Sequence, residues 1–298
     1  MSGMIGSRSC DQSTKSPAAD KRHPQPGLDH RRIYPALIFV PCFYILVLYL
    51  PPVALFVLVG ATVLLALWEF YLLNFQDERN VRGMVVGLGA TAFLVGTMQW
   101  PHILPPTMGV TIALFSILAY QILFAPELKQ GSLQTIILIF GGLYIGFTLG
   151  HLLLIRKLPD GPFLIFFVML VTWAGDAGAY YTGKLIGSRP LAPILSPNKT
   201  VEGLIGGFIL ATIMACLAHF WFLPTLSLLN CIMTGLLLTG AGLIGDLSES
   251  AFKRRVGVKD SGALIPGHGG LFDRVDSLLL TVPTFYYYMF FVKGPFEL

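Results

Sequence analysis

The chain of 298 residues is 54% hydrophobic and only 12% charged, and its formal net charge is +4. Soluble domains carry about 25% charged residues, so this composition excludes an ordinary soluble domain and indicates an integral membrane protein. The basic residues stand in loops between apolar runs and form no continuous basic face, which argues against nucleic-acid binding. We therefore predict an all-α fold, a polytopic membrane helix bundle with about nine transmembrane helices.

The chain begins with a polar segment, residues 1–31, that is rich in Ser, Pro, Lys and Arg. It contains no apolar core, and the apolar stretch that follows is too long for a signal peptide, so we expect a disordered tail. Basic residues gather just before the first apolar run, at Lys21, Arg22, Arg31 and Arg32. Because Lys and Arg concentrate on the inner side of membrane proteins, we expect this tail to be cytoplasmic.

Apolar runs follow that approach the roughly 20 residues needed for one membrane crossing. The predicted spans lie near residues 33–50, 53–73, 84–99, 108–124, 133–155, 162–182, 203–223, 228–248 and 277–292. We divide them into N-terminal transmembrane helices, residues 32–160, and a C-terminal region, residues 161–298, that carries the long polar loops.

The polar loops support the same orientation. With the N-terminus inside, the long loops 183–202 and 249–276, which carry several Lys and Arg residues, share the cytoplasmic face, and the C-terminus lies outside. Two loops on the opposite side carry neither residue type. Arg156 and Lys157 fall on the opposite side and are the one conflict.

The first polar cluster, Trp173-Ala-Gly-Asp176-Ala-Gly-Ala-Tyr180, places a carboxylate inside a predicted span. An ionisable residue in a membrane span is costly and by default indicates a functional site. The alternative is a buried structural Asp whose oxygens bind backbone groups or Tyr hydroxyls. We favour the functional interpretation because of the cost of burial.

The second cluster is Ser196-Pro-Asn-Lys199-Thr200-Val-Glu202-Gly203, just before a predicted helix. Hydroxyls, a cation and free backbone N–H groups at a helix start can bind an anion. The alternative is an ordinary helix cap in which Thr200 or Glu202 closes the first turn. The spacing alone does not choose between them.

The third cluster begins at Gly245-Asp246-Leu-Ser-Glu249-Ser250. If the eighth helix continues to about residue 254, then Asp246, Glu249 or Ser250, and Lys253 recur at steps of three and four residues on one face.

Further along, Asp273 and Asp276 share a face at the start of the last span. The glycines around His268 allow a tight turn that would bring Asp273 beside Asp246. Carboxylates brought together repel one another unless a cation lies between them, and oxygen ligands of this kind suit Mg²⁺ bridging to phosphates. The alternative is a solvated loop whose charges pair locally, and this alternative explains the charges less well than the glycines around His268.

The segment Ser250–Asp276, which reads SAFKRRVGVKDSGALIPGHGGLFDRVD, resembles the signature of phosphatidate cytidylyltransferases, also called CDP-diacylglycerol synthases. The segments around Asp176, Lys199 and Asp246 also resemble parts of that family, in the same order. The resemblance in motifs covers roughly residues 170–280, whereas residues 32–160 match only as apolar spans.

This resemblance implies a membrane enzyme that joins CTP and phosphatidic acid to give CDP-diacylglycerol and pyrophosphate, with a divalent metal. It implies metal-binding carboxylates at Asp246 and Asp273, and we add Asp276 as a third or neighbouring carboxylate. The expected cofactor is Mg²⁺. Asp176 would bind a second cation or position the lipid headgroup, and both roles stay open.

The remaining roles follow from the charge of the substrates, because an anionic lipid phosphate must approach a triphosphate. The cations expected to hold the triphosphate or pyrophosphate are Lys253, Arg254, Lys259 and Arg274. The residues expected to contact the lipid phosphate or the nucleotide are Ser196, Lys199 and Thr200. We count three further polar residues as substrate-binding: Glu202, Ser250 and Asp260. His268 is expected to contact phosphate or anchor the loop, without acting as the base.

The expected partners are CTP, phosphatidic acid and membrane lipids, with no nucleic acid, and a homodimer stays open. In a bacterium the chain would lie in the inner membrane with its active site on the cytoplasmic side. One rival is a CTP-dependent lipid kinase, which would transfer the γ-phosphoryl group. The other is a secondary transporter with a midplane site, but no internal repeat is evident and the polar clusters crowd one membrane face.

Overall fold

The computed structural model describes residues 30–75, 80–124, 128–258, 261–262 and 270–293. Its helices and strands are α1 His30–Tyr49, α2 Pro52–Asn74, α3 Val81–Gln99, α4 Pro106–Phe124, α5 Leu128–Gly141, a π-helical stretch Gly142–Phe147, α6 Thr148–Ile155, α7 Gly161–Ile186, β1 Pro190–Ala192, β2 Ser196–Thr200, α8 Val201–Trp221, α9 Leu228–Val256 and α10 Phe272–Lys293. Most of the predicted N-terminal tail lies outside the described residues, as do three predicted site residues, Lys259, Asp260 and His268.

The helices confirm the predicted all-α membrane bundle. Within the described ranges, 8 helical segments are long and apolar enough to cross a membrane, and one of them, Gly131–Ile155, runs through α5, the π-helical stretch and α6. The shorter apolar helix Val40–Tyr49, part of α1, precedes them and makes about nine spans in all. Two helices extend into polar sequence, because α9 continues to Val256 and α10 begins at Phe272. The predicted continuation of the eighth helix is thus confirmed.

Helices α7 and α8 pack closely through small residues. A Cβ added to Gly178 of α7 would lie 2.6 Å from the Gly206 carbonyl oxygen, and one added to Gly207 would lie 2.9 Å from that of Gly175. Small residues allow this approach of two backbones, the usual basis of helix contact in membranes. The pairing fixes the C-terminal half of α7, which carries Asp176, against the start of α8.

Arg156 and Lys157, the two basic residues that conflict with the predicted topology, contact the ends of other helices. Arg156 donates a hydrogen bond from Nη2 to the Leu50 carbonyl, 3.3 Å away and just past α1. Lys157 donates to the carbonyl of Gln99, the last residue of α3. Burial lowers the pKa of both side chains. Cations stabilise the free carbonyls at helix C-termini. Arg156 and Lys157 therefore have a structural reason to lie on the side of the membrane that is otherwise poor in basic residues.

Candidate active site

Three carboxylates from two helices meet at one end of the bundle. Asp246 and Glu249 of α9 and Asp276 of α10 each offer an oxygen, and these oxygens lie within 4.8 Å of one another. Asp246 and Glu249 share a helix face because they are three residues apart. Asp276 reaches them because α9 and α10 touch at Gly245, where an added Cβ would clash with the Asp276 carbonyl. We call Asp246, Glu249 and Asp276 the carboxylate group.

Lys199 joins the second sequence cluster to this group. It lies on β2, which pairs with β1 in an antiparallel hairpin between α7 and α8, and its Nζ forms an ion pair with Asp246 Oδ2. The next residue, Thr200, accepts a 3.1 Å hydrogen bond from the Gly203 N–H and so caps α8. The helix cap that the sequence offered as an alternative is therefore present at Thr200. Lys199 takes no part in this cap and contacts the carboxylate group.

Glu202 anchors the same hairpin from the first turn of α8. Its carboxylate accepts hydrogen bonds from the backbone N–H groups of Ser188 and Arg189, at 3.0 and 3.1 Å. It also accepts from the Ser188 hydroxyl at 3.1 Å and from Arg189 Nε at 2.9 Å. These four bonds hold the chain that enters β1, and thereby the hairpin that carries Lys199.

Asp176 lies beside the group on its α7 side. Its Oδ2 accepts a 3.3 Å hydrogen bond from the Ser277 hydroxyl. Ser277 also donates its backbone N–H to Asp276 Oδ1 at 2.6 Å. The first sequence cluster therefore meets α10 next to the carboxylate group. The partner of Asp176 is a serine hydroxyl, whereas the structural alternative named backbone groups or Tyr hydroxyls.

Lys253 lies on the other side of the group, between two acids. Its Nζ lies 2.8 Å from Glu249 Oε2 and 3.1 Å from Asp273 Oδ1. The contact with Glu249 confirms that these residues share one face of α9. Asp273 also accepts the N–H groups of Ser261 and Gly270, at 3.2 and 3.3 Å. Of the predicted metal ligands, Asp246 and Asp276 belong to the carboxylate group, and Asp273 contacts Lys253 beside it.

The other described site residues lie on the same elements, the hairpin, α9 and α10. Ser196 begins β2, Ser250 lies on α9, and Arg274 lies in the first turn of α10. Arg254 donates from Nε to the Leu195 carbonyl at 3.4 Å, which ties α9 to the hairpin.

The sequence interpretation did not assign a role to several residues at this end of the bundle. Glu249 was noted on the helix face but was not chosen as a metal ligand. Tyr144, in the π-helical stretch, donates from its hydroxyl to the Gly245 carbonyl at 3.4 Å. Glu69 of α2 contacts the start of α10. An acid inside the apolar run of α2 is the same signal that singled out Asp176, so Glu69 was accessible to sequence reasoning.

The fold and the site together define a polytopic membrane protein with a carboxylate group, flanked by two lysines, at one end of its helices. Residues 30–292 match the model of the cytidylyltransferase family. The chain therefore belongs to that family, and the resemblance found in the sequence is confirmed.

Three relatives illustrate the similarity. A phosphatidate cytidylyltransferase from Haemophilus influenzae is 46% identical over 136 residues, which are 44% of this chain and 47% of the relative. One from Bacillus subtilis is 39% identical over 180 residues, 59% of this chain and 66% of the relative. One from Staphylococcus saprophyticus is 32% identical over 221 residues, 74% and 83% of the two chains. The matched part thus spans about half to two thirds of the first two relatives.

Proposed function

We propose that this protein transfers a cytidylyl group from CTP to phosphatidic acid, which gives CDP-diacylglycerol and pyrophosphate. The observation that carries the proposal is the meeting of Asp246, Glu249 and Asp276 with Lys199, from segments far apart in the chain. The names of the relatives, phosphatidate cytidylyltransferases, support the same activity. Membership of a cytidylyltransferase family favours it over a lipid kinase or a transporter.

The carboxylate group fits a hard divalent cation. All of its donors are carboxylate oxygens, the ligands that Mg²⁺ takes together with substrate phosphates. Glu249 is 1% exposed, and its Oε1 has no hydrogen-bond partner among the described residues. A bound cation would satisfy this buried oxygen. When bound, Mg²⁺ would neutralise phosphate charge at this place. We propose Asp246, Glu249 and Asp276 as its ligands, with Asp273 as a further carboxylate beside them.

The two lysines would hold the phosphates. Lys199 and Lys253 each contact an acid of the group, so a phosphate that enters here meets a cation on either side. A phosphatidate phosphate has a second pKa of about 6 and is largely ionised near neutrality, so the attack needs little help from a base. Its oxygen forms a bond to the α-phosphorus of CTP while the bond from that phosphorus to the pyrophosphate oxygen breaks. The chain's contribution is to align the two anions and to offset their repulsion.

The outer contacts complete the proposal. Arg254 and Arg274, together with Lys259, would hold the triphosphate, and Ser196 and Thr200 would contact the lipid phosphate or nucleotide. Ser250, Asp260 and His268 keep the roles expected from the sequence, and Asp176 keeps both of its alternatives. Glu202 would act by anchoring the hairpin that carries Lys199. We place this end of the bundle on the cytoplasmic side of the membrane, which in a bacterium is the inner membrane. The 8 apolar helical segments of the described chain mark an integral membrane protein.

Differently labelled CTP tests the reaction class. Protein purified in detergent is incubated with phosphatidic acid, Mg²⁺ and CTP that carries ³²P at either the α- or the γ-phosphorus. The transferase puts α-label into the lipid extract and leaves γ-label in pyrophosphate. A kinase given diacylglycerol in place of phosphatidic acid would put γ-label into the lipid and leave α-label in CDP, and that result would refute the proposal.

Two variants connect this activity to the site. Asp246→Asn should abolish transfer of α-label to lipid. Asp160→Asn is the control, since Asp160 lies at the start of α7 and its side chain accepts a 2.9 Å hydrogen bond from the Thr225 hydroxyl, far in sequence from the site. Asn tolerates the left-handed backbone of residue 160 (φ 60°), so this variant should keep full activity.

A further inference from the structure

Glu69 is a buried carboxylate that contacts two segments nearly 200 residues further along the chain. It lies in the apolar helix α2 and is 3% exposed. Its Oε2 accepts the backbone N–H of Phe272, the first residue of α10, at 2.8 Å, and lies 3.5 Å from the Ser261 hydroxyl that donates to it. One carboxylate therefore contacts the chain both before and after residues 263–269.

Two glycines make room for this side chain. A Cβ added to Gly270 would lie 2.8 Å from Glu69 Oε2, and one added to Gly262 would lie 3.1 Å from Oε1. The first distance is too short for a real contact, and the second requires the acid to shift. The backbone on both sides of residues 263–269 is thus fitted closely around Glu69.

Asp273 holds the same backbone from the other side. It accepts N–H groups from Ser261 and Gly270, so Ser261 binds both acids, through its hydroxyl and through its backbone. Glu69 meanwhile accepts one of the N–H groups that a helix start leaves unpaired, and the positive end of α10 favours its negative charge. The two acids together fix where α10 begins.

The start of α10 determines where the acids of the site lie. Asp273 and Asp276 lie in its first two turns, facing Lys253 and the carboxylates of α9. A small shift of Phe272 would therefore move both acids relative to α9. The other oxygen of Glu69, Oε1, is buried without a hydrogen-bond partner among the described residues. Such a group is costly, which points to a role beyond stability.

We propose that Glu69 is a positioning residue: through Phe272 and Ser261 it holds the start of α10 so that Asp273 and Asp276 face the carboxylates of α9. The effect of Glu69 on turnover rests on the proposed function, whereas its contacts with Phe272 and Ser261 are independent of that function. The role depends on the length of the side chain, which we call its reach, since the carboxylate oxygen must lie within hydrogen-bond distance of the Phe272 N–H.

Two substitutions separate reach from charge. Glu69→Asp keeps the charge but withdraws the carboxylate by one methylene, and Glu69→Gln keeps the length and an acceptor oxygen but loses the charge. The control is Leu55→Ala, a buried residue of the same helix that lies about 21 Å nearer its start at 1.5 Å per residue. It perturbs the packing of α2 nearly four turns away from Glu69.

Hydrogen exchange of the full chain in detergent measures the position of α10 directly. We expect the amides of residues 270–276 to exchange about tenfold faster in Glu69→Asp than in the wild type, since the shorter side chain no longer accepts the Phe272 N–H. Glu69→Gln and Leu55→Ala should exchange there at close to the wild-type rate. Wild-type exchange in Glu69→Asp would overturn the proposal.

The Mg²⁺ dependence of CDP-diacylglycerol formation gives the second measurement. The Mg²⁺ concentration for half-maximal turnover should rise in Glu69→Asp and stay near the wild-type value in Glu69→Gln. Loss of turnover in Glu69→Gln alone would show that charge matters, and would overturn a role based on reach. If the wild type forms no CDP-diacylglycerol, the proposed function fails, and the exchange rates still decide on Glu69.

Discussion

Lys199, on the strand before α8, forms an ion pair with Asp246 in the middle of the polar part of α9. This contact joins two sequence motifs, one on the second strand of the β1–β2 hairpin and one on α9. Lys253 makes the matching contact with Glu249 on the other side. The acids of the site are thus already paired with the cations that a triphosphate would need.

Lys199 should matter for turnover far more than for stability. Because it offsets charge where substrate phosphates would lie, Lys199→Gln should lower kcat/KM for CDP-diacylglycerol formation by about 100-fold. Lys184→Gln is the matched control: this lysine lies in the last turn of α7, with Nζ 6.0 Å from the Tyr180 ring centroid. Equal turnover in the two variants would contradict the role of Lys199.

Glu202 should act through the hairpin. Glu202→Ala removes the four hydrogen bonds that its carboxylate accepts from Ser188 and Arg189, so the hairpin that carries Lys199 is less well held and kcat/KM should fall by about tenfold. Glu202→Gln keeps an acceptor for the two backbone N–H groups and should lose much less. If Glu202 instead contacts the substrate directly, both variants should be impaired alike, so steady-state kinetics of the pair distinguishes the two roles.

The α7–α8 contact should be sensitive to a single methyl group. Gly178→Ala places a Cβ against the Gly206 carbonyl, and overpacking of this kind costs about 1–3 kcal/mol, so Tm in detergent should fall. Gly89→Ala makes the same change in α3, where nothing lies within 4 Å of the new Cβ. Its Tm should stay level or rise, because Ala favours helix more than Gly does. An equal Tm for the two variants would refute close packing at Gly178.

The spans and the faces of the helices were predictable from the sequence. Apolar runs of about 20 residues are a direct consequence of bilayer thickness, so the helices of the described chain appear where they were expected. Helical periodicity put Asp246 and Lys253 on one face of α9 and Asp273 with Asp276 on one face of α10. The family resemblance, together with loops predicted on one membrane face, also predicted that the segments around Asp176, Lys199 and Asp246 would meet in one site.

The choice of partners within the site was not predictable in this way. Which acid groups with Asp246 depends on how α9 and α10 are aligned along their axes. The close contact of Gly245 with the Asp276 backbone sets that alignment, and it brings Glu249 and Asp276 to Asp246. Periodicity describes one helix at a time and carries no information on such a contact. Glu69 itself stands out as an acid in an apolar run, but its partners Ser261 and Phe272 are 192 and 203 residues away, so the contacts it makes were not predictable.

The most direct test of the central claim is the Mg²⁺ dependence of CDP-diacylglycerol formation in Glu249→Gln, with Asp160→Asn as the control. If Asp246, Glu249 and Asp276 form one cation site, Glu249→Gln should raise the Mg²⁺ concentration for half-maximal turnover by at least about tenfold, while Asp160→Asn stays at the wild-type value. An unchanged Mg²⁺ requirement in Glu249→Gln, at wild-type turnover, would contradict the assignment of the site.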